Sequence, residues 1–171
     1  MKLKQYLPYE AYVLYTDLPV QEVLDRIKEN VRPLSRKLFS QQQPDKPYEG
    51  TVTEPMFEIS RVISYRNSFL PKISGRVLSR GSQTHVIVKM RLFGFVAVFM
   101  TIWLSFAALL FIFMASLSIF YTQKFLQSPG ILFLLMPLGM FIFGSLLTII
   151  PFKAEAGKSK IFLQKLLESK E

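Results

Sequence analysis

The sequence predicts a small α+β domain, an antiparallel sheet with one or two covering helices, joined to a two-helix transmembrane hairpin. Two long runs without charged residues in the second half of the chain predict the hairpin. Alternating apolar and polar residues between positions 48 and 92 predict the sheet, and an apolar stripe at helical spacing near position 24 predicts a covering helix. We therefore expect a domain over residues 1–91, a hairpin over 92–152 and a C-terminal amphipathic helix over 153–171.

Composition limits the classes of function. Of 171 residues, 50% are hydrophobic and 14% aromatic, which is too apolar for an ordinary soluble domain. The net charge of +9 is typical of proteins that meet nucleic acid or anionic membrane, or that carry cationic flanks on the cytoplasmic side of a span. The absence of cysteine excludes disulfides and thiolate metal sites, and a single histidine excludes a histidine-rich metal site.

The N-terminal elements are a strand followed by a helix. AYVLY, residues 11–15, is rich in aromatic and β-branched residues and predicts a short strand. In TDLPVQEVLDRIKENV, Thr16 or Asp17 can cap a helix and Pro19 suits its first turn. The apolar stripe that faces the core is Val20, Val23, Leu24, Ile27 and Val31. The polar stretch that follows, to residue 45, predicts a surface connection.

Four strand candidates follow, and they predict an antiparallel meander. They are YEGTVTE, FEISRVISY, ISGRVL and QTHVIVKMRL, with turn residues between them. In a regular second strand, Arg61 shares the apolar face with Phe57 and Ile59. An arginine there needs a partner, because an unpaired buried charge is costly. It is either an anion or headgroup ligand in a pocket or, as we prefer, a snorkelling side chain or a salt bridge to a carboxylate such as Glu49.

The stretch YRNSFLPKISGRV, residues 65–77, is a second candidate contact region. Its cations, together with the arginine of the preceding strand, are candidates for headgroup or anion contacts: Arg61, Arg66, Lys72 and Arg76. Asn67, Ser68 and Pro71 predict a turn between two strands. An alternative is that Phe69 and Leu70 form a loop that dips into the bilayer.

The charge-free runs predict two spans, over about residues 95–120 and 131–150. Lys124 alone separates the runs, and each run exceeds the roughly 20 apolar residues that cross a bilayer. Cations flank the hairpin on its outer ends, while its short loop contains only Lys124, so both termini are expected in the cytoplasm. Neither span contains an ionisable residue, which argues against a two-helix transporter.

After the second span, FKAEAGKSKIFLQKLLESKE predicts an amphipathic helix with lysines opposite its leucines. The helix either lies in the cytoplasmic membrane interface or folds back onto the sheet. We prefer the second arrangement, because a domain of about 90 residues with one helix has a thin core.

No residue set predicts catalysis, a metal or a cofactor. His85 is the single imidazole and alternates with Thr84 and Val86 on a strand, as a structural or surface histidine does. Glu54 and Glu58 are separated by Pro55, and nothing in the pattern makes them converge. We therefore expect a non-enzymatic protein.

The run YEGTVTEPMFEISRVISYRNSFLPKISGRVLSRGSQTHVIVKMRL, with both spans and the closing FLQKLL, resembles a group of small bacterial two-span membrane proteins without an assigned activity. This resemblance covers most of the chain from Tyr48 onward and implies an architecture and a membrane setting rather than a chemistry. The order of the elements also resembles helix-grip lipid-binding folds.

The predicted function is that of a binding or accessory component, a subunit or assembly factor of a membrane complex. The alternative is a membrane-tethered module that binds a lipid or another apolar ligand between sheet and helices. The expected partners are the lipid bilayer and another membrane protein or a second copy of the chain. Nucleic acid is disfavoured, because the aromatic residues lie in the spans rather than among the cations.

Overall fold

The computed structural model describes residues 7–33, 46–120 and 130–169. Their six strands and three helices belong to two compact units. The sheet unit contains the chain up to Phe93 and from Pro151 onward, and the hairpin unit contains Gly94–Ile150. The loop with Lys124, on which part of the predicted orientation depends, lies outside the described residues.

The sheet unit is built on a single six-stranded sheet with the strand order β1-β6-β5-β4-β3-β2. The strands are β1 Tyr9–Thr16, β2 Val31–Pro33, β3 Tyr48–Thr53, β4 Met56–Arg61, β5 Lys72–Arg80 and β6 Gln83–Arg91. All neighbouring strands are antiparallel except β2 and β3, which are parallel.

The prediction of a purely antiparallel sheet is therefore wrong at one edge. Val31 was assigned to the helical stripe, but the chain leaves the helix at Asn30 and continues in an extended conformation as β2. A three-residue strand is too short to show an alternating pattern, and Pro33 is acceptable in it because edge strands need fewer backbone donors. The connection over residues 34–47 is long enough for the crossover that a parallel pair requires.

Helix α1, Val20–Glu29, covers part of one sheet face with Val23, Leu24 and Ile27, all buried. Its N-terminus differs from the prediction, because Pro19 is the capping residue and no side chain caps the helix. The Thr16 hydroxyl instead accepts a hydrogen bond from the Leu18 amide at 3.2 Å and donates one to the Leu167 carbonyl at 2.8 Å.

The C-terminal part of helix α3, Gly130–Leu166, covers the same face of the sheet as α1. The side chains that it buries are Phe152, Ala156, Leu163 and, just beyond the helix, Leu167. Phe162 packs against Tyr48 of β3, with ring centroids 4.7 Å apart. We call this covered face the inner face; at its centre the ring of Phe57 fills the space above Gly75, the residue opposite it on β5.

The hairpin unit consists of α2, Gly94–Phe120, and the part of α3 up to Ile150. The two helices pack antiparallel, since Gly144 faces Trp103 and Leu104 while Leu138 and Phe141 lie beside Ala108 and Phe111. Both are long and apolar enough to cross a membrane. The predicted border at residue 153 is not a helix end, because α3 runs without interruption through Pro151 and Gly157.

Candidate functional site

The strand register defines one end of the sheet, here called the hairpin end. Arg91, the last residue of β6, lies beside Tyr9 at the start of β1 and Lys72 at the start of β5. The chain leaves the sheet unit here, because Gly94 begins α2 three positions after Arg91. The chain also returns at this end, since the ammonium of Lys153 donates to the Tyr9 carbonyl at 3.2 Å and lies 2.6 Å from a carboxylate oxygen of Glu10.

A buried carboxylate links β4, the loop after it and α3 at the hairpin end. The Glu155 side chain is only 3% exposed and accepts three hydrogen bonds. The donors are the Arg61 guanidinium at 2.5 Å, the Tyr65 hydroxyl at 2.5 Å and the Lys158 ammonium at 2.7 Å. We call these four residues the Glu155 cluster. The arrangement joins β4 and the loop directly after it to a helix about 90 positions later in the chain, and it leaves Arg61 engaged with protein.

The electrostatics of the Glu155 cluster favour its charged state. Burial by itself raises the pKa of Glu155, but the hydrogen bonds from Lys158, Tyr65 and Arg61 and the charge of Arg61 outweigh burial and lower that pKa below its ordinary value. For Arg61, burial acts to lower the pKa, and the hydrogen bond and charge of Glu155 outweigh it and raise the pKa. The carboxylate is therefore ionised at neutral pH and matched with cationic donors.

Arg61 thus makes the salt bridge that we preferred from the sequence, although with a different carboxylate. Glu49 lies on the other sheet face and pairs with Arg32 at 3.2 Å. The alternation of β4 correctly placed Arg61 on the apolar face with Phe57 and Ile59. No local pattern could identify Glu155 as the partner, because it lies 94 positions further along the chain.

The loop between β4 and β5, residues 62–71, lies at the hairpin end. The Asn67 side-chain oxygen accepts a hydrogen bond from the Phe69 amide at 2.9 Å, and Pro71 is buried, as expected for a turn between strands. Phe69 and Leu70 are half-buried, whereas Arg66 is exposed. The candidate membrane-dipping side chains therefore present part of their surface to the surroundings.

No described element covers the second face of the sheet, here called the outer face. Lys72 of β5 pairs with Glu58 at 2.9 Å, and the guanidinium of Arg76 lies 3.6 Å from the Met56 sulfur. Lys72 and Arg76 are four residues apart on one strand, about 13 Å. With Arg61 on the inner face and Arg66 in the loop, the four predicted contact residues do not form one cluster.

Two further cations lie on the outer face. From the sequence they were considered only as charges that flank the first span. Lys89 and Arg91 are exposed and alternate at the end of β6, and Arg91 is directly opposite Lys72. Neither has an ion pair with any residue that the structure describes. The signal that could have found them is their i, i+2 spacing in a strand that runs directly into a span.

A groove of about 370 Å³ runs along the outer face near the hairpin end. Backbone and side chains of β3 and β4 form its floor, and Lys72 and Phe93 are among its lining residues. The Phe93 ring is 41% exposed. The lining also includes the carboxylates of Glu49 and Glu58, which pair with Arg32 and Lys72. The groove therefore combines paired charged groups with an apolar side chain that directly precedes α2.

His85 and Glu54, which were considered for catalysis from the sequence, do not lie in a catalytic arrangement among the described residues. His85 makes an edge-to-face contact with Tyr15 at 4.8 Å between ring centroids. Glu54 lies in the exposed turn between β3 and β4. Within residues 7–33, 46–120 and 130–169, no three acidic or histidine side chains are grouped so that they could hold a metal ion.

Comparison with known proteins adds no relative to this description. The chain matches no family model, no curated protein and no solved structure.

Proposed function

We propose that this protein is a two-span integral membrane protein whose sheet unit serves, without catalysis, as an accessory subunit or assembly factor of a membrane complex. The distribution of cations around the spans supports a cytoplasmic position for both termini and the sheet unit. The proposal also includes the bacterial membrane family suggested by the run from Tyr48 to the closing FLQKLL.

The observation that carries the membrane assignment is the exposed apolar surface of the hairpin unit. Only 11% of the apolar window in the first helix and 17% in the second are buried within the protein. Away from the face on which the two helices pack together, large side chains of both helices are exposed, among them Phe95 at 84% and Phe143 at 67%. A helix that is apolar all round needs either a protein core or lipid around it, and lipid is the environment that matches these lengths.

The accessory role is supported by the contrast between the two sheet faces. The inner face is filled by its own helices, and the buried side chains of Phe57 and Tyr48 occupy the space between sheet and helices in which a ligand would have to bind. The outer face is uncovered by any described element and carries the exposed side chains of Tyr15 and Met56. The contact surface available to a partner is therefore the outer face rather than an internal pocket.

Membrane topology is tested by cysteine labelling, which is clean here because the chain has no cysteine. Ser82→Cys, in the exposed turn between β5 and β6, is expected to react with an impermeant maleimide only in inside-out vesicles. Gln127→Cys, between the two spans, is expected to react only in right-side-out vesicles. Labelling of both residues from the same side would reject the two-span topology.

The accessory role is tested by site-specific photo-crosslinking in the native membrane. A photoreactive phenylalanine at Tyr15 samples the outer face, and the same group at Ile161, an exposed apolar position of α3, is the matched control. One discrete protein adduct from the Tyr15 position alone supports a partner on the outer face. Equal adducts from both positions, or none from either, would count against it.

A further inference from the structure

We infer that Lys72, Lys89 and Arg91 form a binding site for the phosphate of an anionic membrane lipid. We call these three residues the basic triad. The inference rests on the proposed membrane setting and deepens it by naming the lipid class and the residues that bind it. The three cations lie at one position on two neighbouring strands, where a single phosphate group can bind.

The register of β5 and β6 brings these cations together. Arg91 is directly opposite Lys72 across the two strands, so their Cβ atoms lie about 5 Å apart. Lys89 follows on the same face of β6, about 7 to 8 Å diagonally from Lys72. Like charges opposite each other on adjacent strands destabilise a sheet. Such an arrangement becomes favourable when an anion binds between them.

The protein itself supplies little compensation for the basic triad. Lys72 has one carboxylate partner, Glu58, at 2.9 Å. Lys89 and Arg91 have no carboxylate within ion-pair distance among the residues described for this chain. A phosphate diester supplies the missing negative charge, and an arginine can bind two of its oxygens at once.

The covalent structure holds this site near the lipid phosphates. Gly94, the first residue of α2, is three positions after Arg91, so their Cα atoms are at most about 11 Å apart. The groove beside Lys72 is lined by Phe93, whose exposed ring suits the headgroup region. A lipid bound through its phosphate here can therefore keep its acyl chains in the bilayer.

The test uses the full chain purified in detergent micelles that contain equal amounts of phosphatidylglycerol and phosphatidylcholine. Native mass spectrometry gives the ratio of the two lipids bound. Lys89→Gln with Arg91→Gln is compared with Lys28→Gln with Arg80→Gln, which removes the same charge from exposed side chains of α1 and of the far end of β5. Arg80 lies about 26 Å from Lys72 along the strand, beyond the screening length of about 8 Å at physiological salt, and Lys28 lies on the helix that covers the inner face.

The unmodified protein is expected to prefer phosphatidylglycerol. The Lys89 and Arg91 double variant should lose that preference by about 25-fold, since each cation near an anionic surface contributes about fivefold. The Lys28 and Arg80 variant, and Arg91→Lys alone, should retain most of it. Equal loss in both double variants, or no loss in either, would overturn the site.

Two further measurements separate this inference from its alternatives. Inorganic phosphate added at constant ionic strength should not displace phosphatidylglycerol; displacement would show a site for free anions and overturn the lipid assignment. Alkaline carbonate extraction of membranes tests spanning independently. Variants that resist extraction but show no change in lipid preference would reject the basic triad while leaving the two-span proposal intact.

Discussion

Replacing Glu155 with Gln tests the role of the Glu155 cluster in the stability of the sheet unit. The substitution keeps the shape of the side chain and removes its charge, so that Arg61 and Lys158 lose their ionic partner. Loss of one partner of a fully buried ion pair costs about 3 to 5 kcal/mol. The Arg61 side chain is 30% exposed and can recover some hydration, so we expect the free energy of unfolding to fall by about 2 kcal/mol.

The assay is urea unfolding of the full chain in detergent micelles, followed by near-ultraviolet circular dichroism. Glu22→Gln is the control, because Glu22 also pairs with an arginine but is 45% exposed, and exposed pairs contribute far less. Equal effects of the two substitutions would refute a stabilising role for the cluster.

The pH dependence gives an independent check of the same cluster. Because the pKa of Glu155 is lower in the folded state, its charge stabilises the fold above its ordinary pKa of 4.5. That contribution disappears as the pH falls through the lower, folded-state pKa. The difference in stability between the unmodified protein and Glu155→Gln should therefore be full at neutral pH and shrink below about pH 4.5. A difference that does not change with pH would show that the cost comes from packing rather than charge.

Three further substitutions test the fold and the loop. Gly75→Ala should lower the free energy of unfolding by about 2 kcal/mol, because the added methyl meets the buried ring of Phe57. Adding Phe57→Leu to this variant should restore part of the loss, and additive costs in the double variant would refute the contact. Thr16→Val should lower the free energy of unfolding by about 1 to 2 kcal/mol, because the Leu167 carbonyl at the end of α3 loses its hydrogen-bond donor. An unchanged midpoint of urea unfolding would contradict this. Phe69→Ser with Leu70→Ser should reduce amide protection of the loop in bilayer nanodiscs more than in detergent, and equal reductions in hydrogen exchange would show that these side chains pack only on the sheet unit.

The sequence was informative where the physical signal was local. Charge-free runs identified both long apolar helices, and strand alternation placed Arg61 on the inner face with a requirement for a partner. The three residues of β2 were missed because a strand of that length carries no periodicity, and its pairing depends on β3 beyond a long connection. The sequence separated the second span from the C-terminal helix, yet the single helix α3 contains both.

Contacts between distant segments were beyond local reasoning for a related reason. The partner of Arg61 had several carboxylate candidates, and only the packing of α3 on the sheet selects Glu155. The basic triad likewise depends on the register of β5 and β6, since a shift of one residue would send Lys72 to the other face.

The discontinuous sheet unit has a consequence for synthesis. Residues from Pro151 onward emerge from the ribosome after the whole hairpin unit, so Leu14, Tyr48 and Ile73 remain partly uncovered until the rest of the sheet unit has been made. In a membrane, a chain whose second helix failed to cross would deliver Phe152 and Leu163 to the wrong side, far from the sheet. The core of the sheet unit is therefore completed only when both helices have crossed the membrane. A copy that is inserted incorrectly exposes an apolar sheet face to the proteases that remove defective membrane proteins.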